Sequence, residues 1–197
     1  MGLDWIHQNQ EVPIELLPAA LFVGFVHIGT YYHLWYIPAF ILSVIFIVNL
    51  LKRFSYQKVF VISLVLYLFG SLETYYGLLP SGWFKDFFDL VIRLTFTTRN
   101  GLFFGMIFTL IGFFIYDHQE KLSRMGKHSS SFLLLFGSLF VLEGLFLSHI
   151  HRLDMNFILM LVPLSFFLFL WLLSKNPTQN SCLKKLRELS QYYYFIH

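Results

Sequence analysis

Apolar positions run along this chain in long, unbroken blocks. Five stand out, His33 to Leu51, Val59 to Tyr76, Gly101 to Tyr116, Ser131 to Ser148 and Phe157 to Leu173, each of 16 to 19 residues. That is close to the roughly 20 residues an α-helix needs to cross about 30 Å of hydrocarbon. Backbone groups inside lipid must satisfy one another, which leaves helices or a closed barrel. Barrel strands alternate polar and apolar positions, and runs such as FILSVIFIV and FLLLFGSLF do not. The pattern predicts an all-α membrane protein with about five transmembrane helices (about 33–51, 59–76, 101–116, 131–148 and 157–173) in a single partial membrane domain over residues 1–197. One or two further helices are expected to lie in the interface or to re-enter.

Two segments carry that second expectation. Ile14 to Thr30 is apolar but interrupted by Pro18, Gly24, His27 and Gly29. It is read as interfacial or re-entrant, with a sixth span as the alternative, because Met1 to Pro13 holds no Lys or Arg to keep it in the cytoplasm. Gly82 to Thr98 is amphipathic at helical spacing, with Phe84, Phe87, Phe88, Val91 and Phe96 apolar and Lys85, Asp86, Asp89 and Arg93 on a polar face. Lys85–Asp89 and Asp89–Arg93 are i,i+4 pairs, worth a few tenths of a kcal/mol each. An interfacial helix over about 82–98 follows, with its aromatic side among lipid headgroups. Its charges are read either as a solvated row or as a roof over a cavity in which Asp86, Asp89 and Arg93 touch substrate. Beyond Asn176 the chain is first polar, then reads LKKLRELSQYYYFIH. It stops inside an apolar run, and the expectation is a truncated last helix.

Composition sharpens the picture. Of 197 residues 57% are hydrophobic and only 13% charged, against about 25% charged in soluble domains, and the mean hydropathy is +0.65. Too little polar surface is available to cover a water-soluble body. The net charge of +3 matters less than its placement. Lys52, Arg53, Lys58, Lys121, Arg124, Lys127, Lys175, Lys184, Lys185 and Arg187 fall on one side if the five runs alternate, ten of the fourteen basic residues. The positive-inside rule makes that side cytoplasmic. The expected location is the bacterial inner membrane, multi-pass, with the N-terminus of this chain outside and its C-terminus in the cytoplasm. Cys182 is the single cysteine, so no intramolecular disulfide forms. Met1 to Pro13 has no basic n-region and carries Asp4 and Glu11, unlike a secretory signal. Phosphate-loop, HExxH, GxSxG and dinucleotide fingerprints are missing. Lipid is the expected partner, with no nucleic acid and no bound cofactor.

Polar residues at membrane depth are the candidate chemistry, since charges there cost about 2.5–3.5 kcal/mol on insertion scales. Glu143 lies well inside SFLLLFGSLFVLEGLFLSHI. It is read as lining a polar cavity, or as a hydrogen-bonded packing residue. Glu73, near the outer end of the second run, is read as functional or as snorkelling to water. Arg99 with Asn100 opens the third run from outside, as an interfacial anchor or as an anion-binding group over the cavity. His149 and His151 follow the fourth run beside Arg152 and Asp154. Two residues apart, their rings diverge on a helix, so no metal site is expected.

Three stretches resemble the acyltransferase-3 family, multi-span proteins that move acyl groups onto extracytoplasmic carbohydrates. Leu34, Trp35, Tyr36, Pro38 and Ala39 match a leucine–tryptophan–aromatic–x–proline–alanine opening of a central family helix. Arg99, Gly101, Leu102, Phe103 and Phe104 match an arginine–x–glycine–leucine–phenylalanine–phenylalanine motif that begins a later span. Leu186 to His197 is similar to the opening of the last family helix, and Glu143 matches an acidic residue in the span between. The chain looks especially close to the membrane domain of vancomycin-resistance-type serine/alanine racemases. The resemblance covers about residues 14–197.

It implies an integral-membrane acyltransferase of the cell envelope that moves an acyl group, acetyl above all, from acyl-CoA to an extracytoplasmic hydroxyl such as that of a carbohydrate. The substrate and cavity residues it implies are Arg99, Asn100, Glu143, Trp35 and His33, with Asp86, Asp89, Arg93 and Glu73 as secondary candidates. The family's first helix carries a basic residue and, about three turns later, the histidine that takes the proton. His7, His27 and His33 lack that upstream basic partner, so the chain resembles a fragment without the catalytic helix, and the catalytic residue is unassigned. The racemase resemblance implies the alternative of an amino-acid uptake module, for serine or a similar substrate, and a non-catalytic remnant is the third reading.

Overall fold

The computed structural model describes residues 35–95, 97–125, 129–150 and 155–175. Every regular element among them is helical: α1 (Tyr36–Leu51), α2 (Tyr56–Ser71), a short 3₁₀ turn (Tyr76–Leu78), α3 (Trp83–Thr95), a π-helical turn (Gly101–Gly105) running into α4 (Met106–Asp117), α5 (Gln119–Met125), α6 (Ser129–Ser148) and α7 (Leu161–Ser174). His33, the segment Ile14–Thr30, His151, Arg152, Asp154 and the tail beyond Lys175 lie outside the described residues.

α1 opens at Trp35, and Pro38 sits in its first turn, where a missing N–H removes no intrahelical bond. Its buried face is Ala39, Ser43 and Ile47, a row at intervals of four. Gly101 and Gly105, also four apart, press against that row. A Cβ on Gly101 would stand 2.3 Å from the Ala39 carbonyl oxygen, and one on Gly105 3.0 Å from the Ser43 Cβ. One turn further on, the Ser43 and Thr109 hydroxyls meet at 2.6 Å. Small residues let the two backbones approach closely, as in membrane helix pairs. Gly70 makes another close contact, its hydrogen pointing at the Phe157 ring and Phe103.

Burial in these helices departs from the soluble pattern, although Ile47, Val59 and Tyr67 are buried too. The buried positions of α1 and α2 include Ala39, Ser43, Ser63, Gly70 and Ser71, while Phe40, Ile41, Ile45, Phe60, Val61 and Val65 are exposed. α6 has only Ser129 and Leu147 buried. It leans on α7 through Phe132 and Phe136, which stack on Phe167 at centroid distances of 4.9 and 5.3 Å. The main core joins Tyr67, Phe103, Ile107, Ile111, Ile115 and Phe157. A second cluster joins Ile47, Val59, Met106 and Leu110.

By length and composition α6 is the one described helix apolar and long enough to cross a membrane. Its 20 residues span about 30 Å at 1.5 Å per residue. Tyr36–Leu51, Tyr56–Ser71, Gly101–Asp117 and Leu161–Ser174 are apolar and shorter, 10–17 residues each.

Helix ends depart from the apolar runs where polar side chains intervene. The second run is expected to reach Tyr76, but α2 stops at Ser71, because Glu73 and Thr74 turn away to bond with distant backbone. The fifth is expected from Phe157, but α7 starts at Leu161, because the N–H groups of Phe157, Leu159 and Met160 are taken by the side chains of Thr74 and Glu143. The amphipathic helix ends at Thr95 rather than Thr98, since Thr97 and Thr98 bind Glu73. Gly82 precedes that helix at φ 154°, a conformation that disfavours a Cβ.

Tyr56, at the start of α2, bonds to Asp117 at the end of α4, and Gly70, near the other end of α2, touches Phe103 and Phe157 ahead of α4 and α7. α2 therefore runs antiparallel to α4 and α7. Lys52, Arg53, Lys58, Lys121 and Lys175 collect at one end of the bundle, and Trp35, Glu73 and Arg99 at the other.

Candidate functional site

The polar end is organised by the turn Thr97–Asn100, which links α3 to the π-helical turn. Asn100 is extended (φ −138°, ψ −179°), and its side-chain oxygen accepts the N–H groups of Leu102 and Phe103 at 3.0 and 3.1 Å. It is a helix cap in form, and the amide nitrogen returns to the Thr97 carbonyl at 3.2 Å. Both sides of this amide are thus engaged with backbone.

Glu73 holds the same turn from the α2 side. It is 6% exposed. Its carboxylate accepts from the Thr98 N–H at 2.7 Å, from the Thr98 hydroxyl at 2.5 Å and from the Thr97 hydroxyl at 3.1 Å. The Thr98 hydroxyl also lies 2.9 Å from the Gly70 carbonyl. Snorkelling to water is therefore overturned for Glu73: three donors from a turn 24 and 25 residues away replace the solvent. Polar atoms buried in apolar surroundings keep such bonds because the alternative is a bare charge.

Arg99 follows in this turn and is 8% exposed. Its N–H donates to the Thr97 hydroxyl at 3.0 Å, and its guanidinium lies 5.0 Å from the centroid of the Trp35 ring. That is within cation–π range. Trp35 in turn packs edge-on against Phe104 at 5.6 Å. The structure thus unites Trp35, Glu73, Arg99 and Asn100 around one turn. Sequence reasoning missed Thr97 and Thr98, whose signal was two adjacent hydroxyls just before the arginine in TTRNG.

Glu143 does different work. Its two oxygens accept the N–H groups of Leu159 at 2.6 Å and Met160 at 2.8 Å, and it also takes the Tyr75 hydroxyl. It fastens α6 to the start of α7 and to the chain after α2, and this geometry favours the packing reading over the cavity-lining one. A carboxylate suits the unpaired amides that begin a helix.

On α3, Asp86 and Arg93 are exposed. Asp89 accepts the Tyr76 hydroxyl at 2.8 Å, and Lys85 stands 4.4 Å over the Tyr76 ring. The Asp89 carboxylate, by that bond and with some desolvation, raises the Tyr76 pKa above its ordinary value. Phe88 is fully buried and docks α3 on Phe69, at 5.5 Å. Lys85 and Asp89 turn to Tyr76 in the neighbouring 3₁₀ turn, and Asp86 and Arg93 are exposed, which favours the solvated row over the roof. His149 is exposed. Among the described residues no group of three or more His, Cys, Asp or Glu is placed to hold a metal ion.

Two apolar grooves flank the core, one of about 730 Å³ lined in part by Phe60, Leu64, Phe114 and Phe166, the other of about 770 Å³ lined in part by Trp35, Phe40, Phe108 and Phe169. The second is lined by Trp35, whose ring also meets the Arg99 guanidinium.

Comparison with known proteins gives this end its context. An amino-acid racemase of Enterococcus faecalis is 37% identical over 119 residues, 58% of this chain and 17% of its own length. A serine/alanine racemase of Enterococcus gallinarum is 32% identical over 189 residues, 95% of this chain and 26% of its own length. A second amino-acid racemase of Enterococcus faecalis is 27% identical over 196 residues, 96% of this chain and 27% of its own length. The chain thus spans 17–27% of the length of these curated relatives. No solved structure matches it. The family model described as "Acyltransferase domain" matches residues 2–197, essentially end to end. The resemblance carried by the Trp35 and Arg99 motifs thus holds, and the chain belongs to the acyltransferase-3 family.

Proposed function

We propose that this chain is the helical core of an integral-membrane acyltransferase that passes an acyl group, acetyl above all, to an extracytoplasmic hydroxyl such as that of a cell-surface carbohydrate. The observation that carries the reading is the buried cation: Arg99, held at the polar end of an otherwise apolar bundle, over a Trp35 ring that itself lines a groove. A guanidinium in such a place is suited to the oxyanion that develops as a hydroxyl attacks an acyl carbon.

The membrane setting is supported by α1 and α2, which expose Phe40, Ile41, Ile45, Phe60, Val61 and Val65 while Ser43, Ser63, Gly70 and Ser71 are buried beside Ile47, Val59 and Tyr67. That is the arrangement expected when lipid solvates the exterior and close packing holds the helices. In this reading α1, α2, α4 with its π-helical turn, α6 and α7 are the five spans, in the bacterial inner membrane. α3 lies along the outer surface, with Trp83 exposed toward the headgroups. The basic end faces the cytoplasm, where its lysines and arginines would attract the phosphates of an acyl-CoA donor. Trp35 would line the path of the acyl group. The proton acceptor is assigned to no residue described here, and His33 remains a candidate neighbour of Trp35 by sequence alone.

The second reading is an uptake module for a small amino acid. It is favoured by the names of the relatives, all racemases of amino acids, and Arg99 would then bind the carboxylate of the substrate. Engagement of Glu143 by two backbone amides counts against its pairing with the substrate amine.

Labelling intact cells with radioactive acetate, with and without the gene, separates the two readings. Gene-dependent label in surface carbohydrate is the expected result. Gene-dependent uptake of radioactive serine with no acylated product would establish the second reading.

A further inference from the structure

We infer that Glu73 is a positioning residue for Arg99, acting through the turn that carries it and above all through the Thr97 hydroxyl. The inference rests on the reading of Arg99 given above. It begins from the two bonds that this hydroxyl makes: it donates to the Glu73 carboxylate at 3.1 Å and accepts the Arg99 N–H at 3.0 Å. A hydroxyl has one proton and two lone pairs. Committing the proton to Glu73 turns a lone pair toward Arg99 and fixes the backbone from which the guanidinium projects.

The rest of the turn is held by the same carboxylate. Thr98 is fully buried, and both its N–H and its hydroxyl point at Glu73. On the far side, the Asn100 side chain ties the turn to the π-helical start of α4. Arg99 is therefore clamped between a carboxylate on one side and a cap on the other, with the Trp35 ring 5.0 Å from its guanidinium. No described bond carries a proton from Glu73 toward an open cavity. Its oxygens are occupied by the turn, which marks it as a part that aims another residue rather than one that meets substrate. Displacements near 1 Å at a reacting group cost on the order of a hundredfold in rate, so such a clamp has a measurable consequence.

The test has two arms on the full chain in its membrane. The first needs no knowledge of the reaction. In a Cys182→Ser background, Arg99→Cys is treated with a membrane-impermeant thiol reagent, with and without Glu73→Ala. Modification several-fold faster in the Glu73→Ala partner is expected, because the turn opens; an unchanged rate overturns the inference. The second arm measures acyl transfer per folded molecule. Glu73→Ala is expected to lower it about tenfold, whereas Glu73→Gln stays within about threefold, since an amide still accepts from Thr98 and engages the Thr97 hydroxyl. Thr97→Val should follow Glu73→Ala, and Thr97→Ser should restore transfer. On an Arg99→Ala background, Glu73→Ala should cause no further loss. A further tenfold loss there, or equal losses for the Gln and Ala variants, would show that Glu73 acts on the reaction directly and would overturn its role as a positioner. If gene-dependent transfer proves absent, the proposed function fails, and the first arm still decides the role of Glu73.

Discussion

Two glutamates at the same end of the bundle show how differently one side chain is used. Glu73 is 6% exposed and gathers three donors from one turn. Glu143 is half-buried and gathers two helix-start amides and a tyrosine hydroxyl. The first shapes the turn that carries a buried arginine. The second holds three pieces of scaffold together, α6, the start of α7 and the chain after α2. In an apolar sequence both look like the same anomaly, an acid where lipid is expected. What distinguishes them is the partner, and the partner decides whether loss is felt in activity or in stability.

Substitutions can break that comparison. Glu73→Ala should have the largest effect. It strands the buried Thr98 N–H, at about 1–3 kcal/mol for an unsatisfied group, leaves the Thr98 hydroxyl with the Gly70 carbonyl alone, and releases the Arg99 turn. A marked drop in the thermal midpoint in detergent, together with lowered transfer, is expected. Glu143→Ala should come next, with a loss of about 2 kcal/mol for uncapped amides. Transfer per folded molecule should then stay within about threefold, since the Arg99 turn keeps its own bonds. Equal loss of activity in the two variants would erase the distinction. Tyr75→Phe removes one of the three donors to Glu143 and should cost about 1 kcal/mol with transfer intact, as read by the same melting experiment.

The helices were largely legible in the sequence, because apolar runs of 16 to 19 residues can do little else. Their ends were not. α2 stops at Ser71 and α7 waits until Leu161 because Glu73, Thr74 and Glu143 reach across the fold to take backbone or turn donors. Nothing local announces a bond between residues 73 and 98, or between 143 and 159. The glycines teach the same lesson. Gly70 and Gly105 look alike in the sequence, yet what crowds them is Phe157 in one case and Ser43 in the other. Arg99 was legible as a candidate through the motif it opens; the clamp that orients it was not, since its threonines carry no charge and no familiar spacing.

The most direct measurement is acyl transfer by the Arg99→Ala protein, with membrane insertion checked in parallel. A guanidinium that stabilises the developing oxyanion is worth roughly 100- to 1,000-fold in rate. A loss of that size with normal insertion is the expected result. Transfer at the unaltered rate by a correctly inserted protein would remove Arg99 from the chemistry and contradict the account.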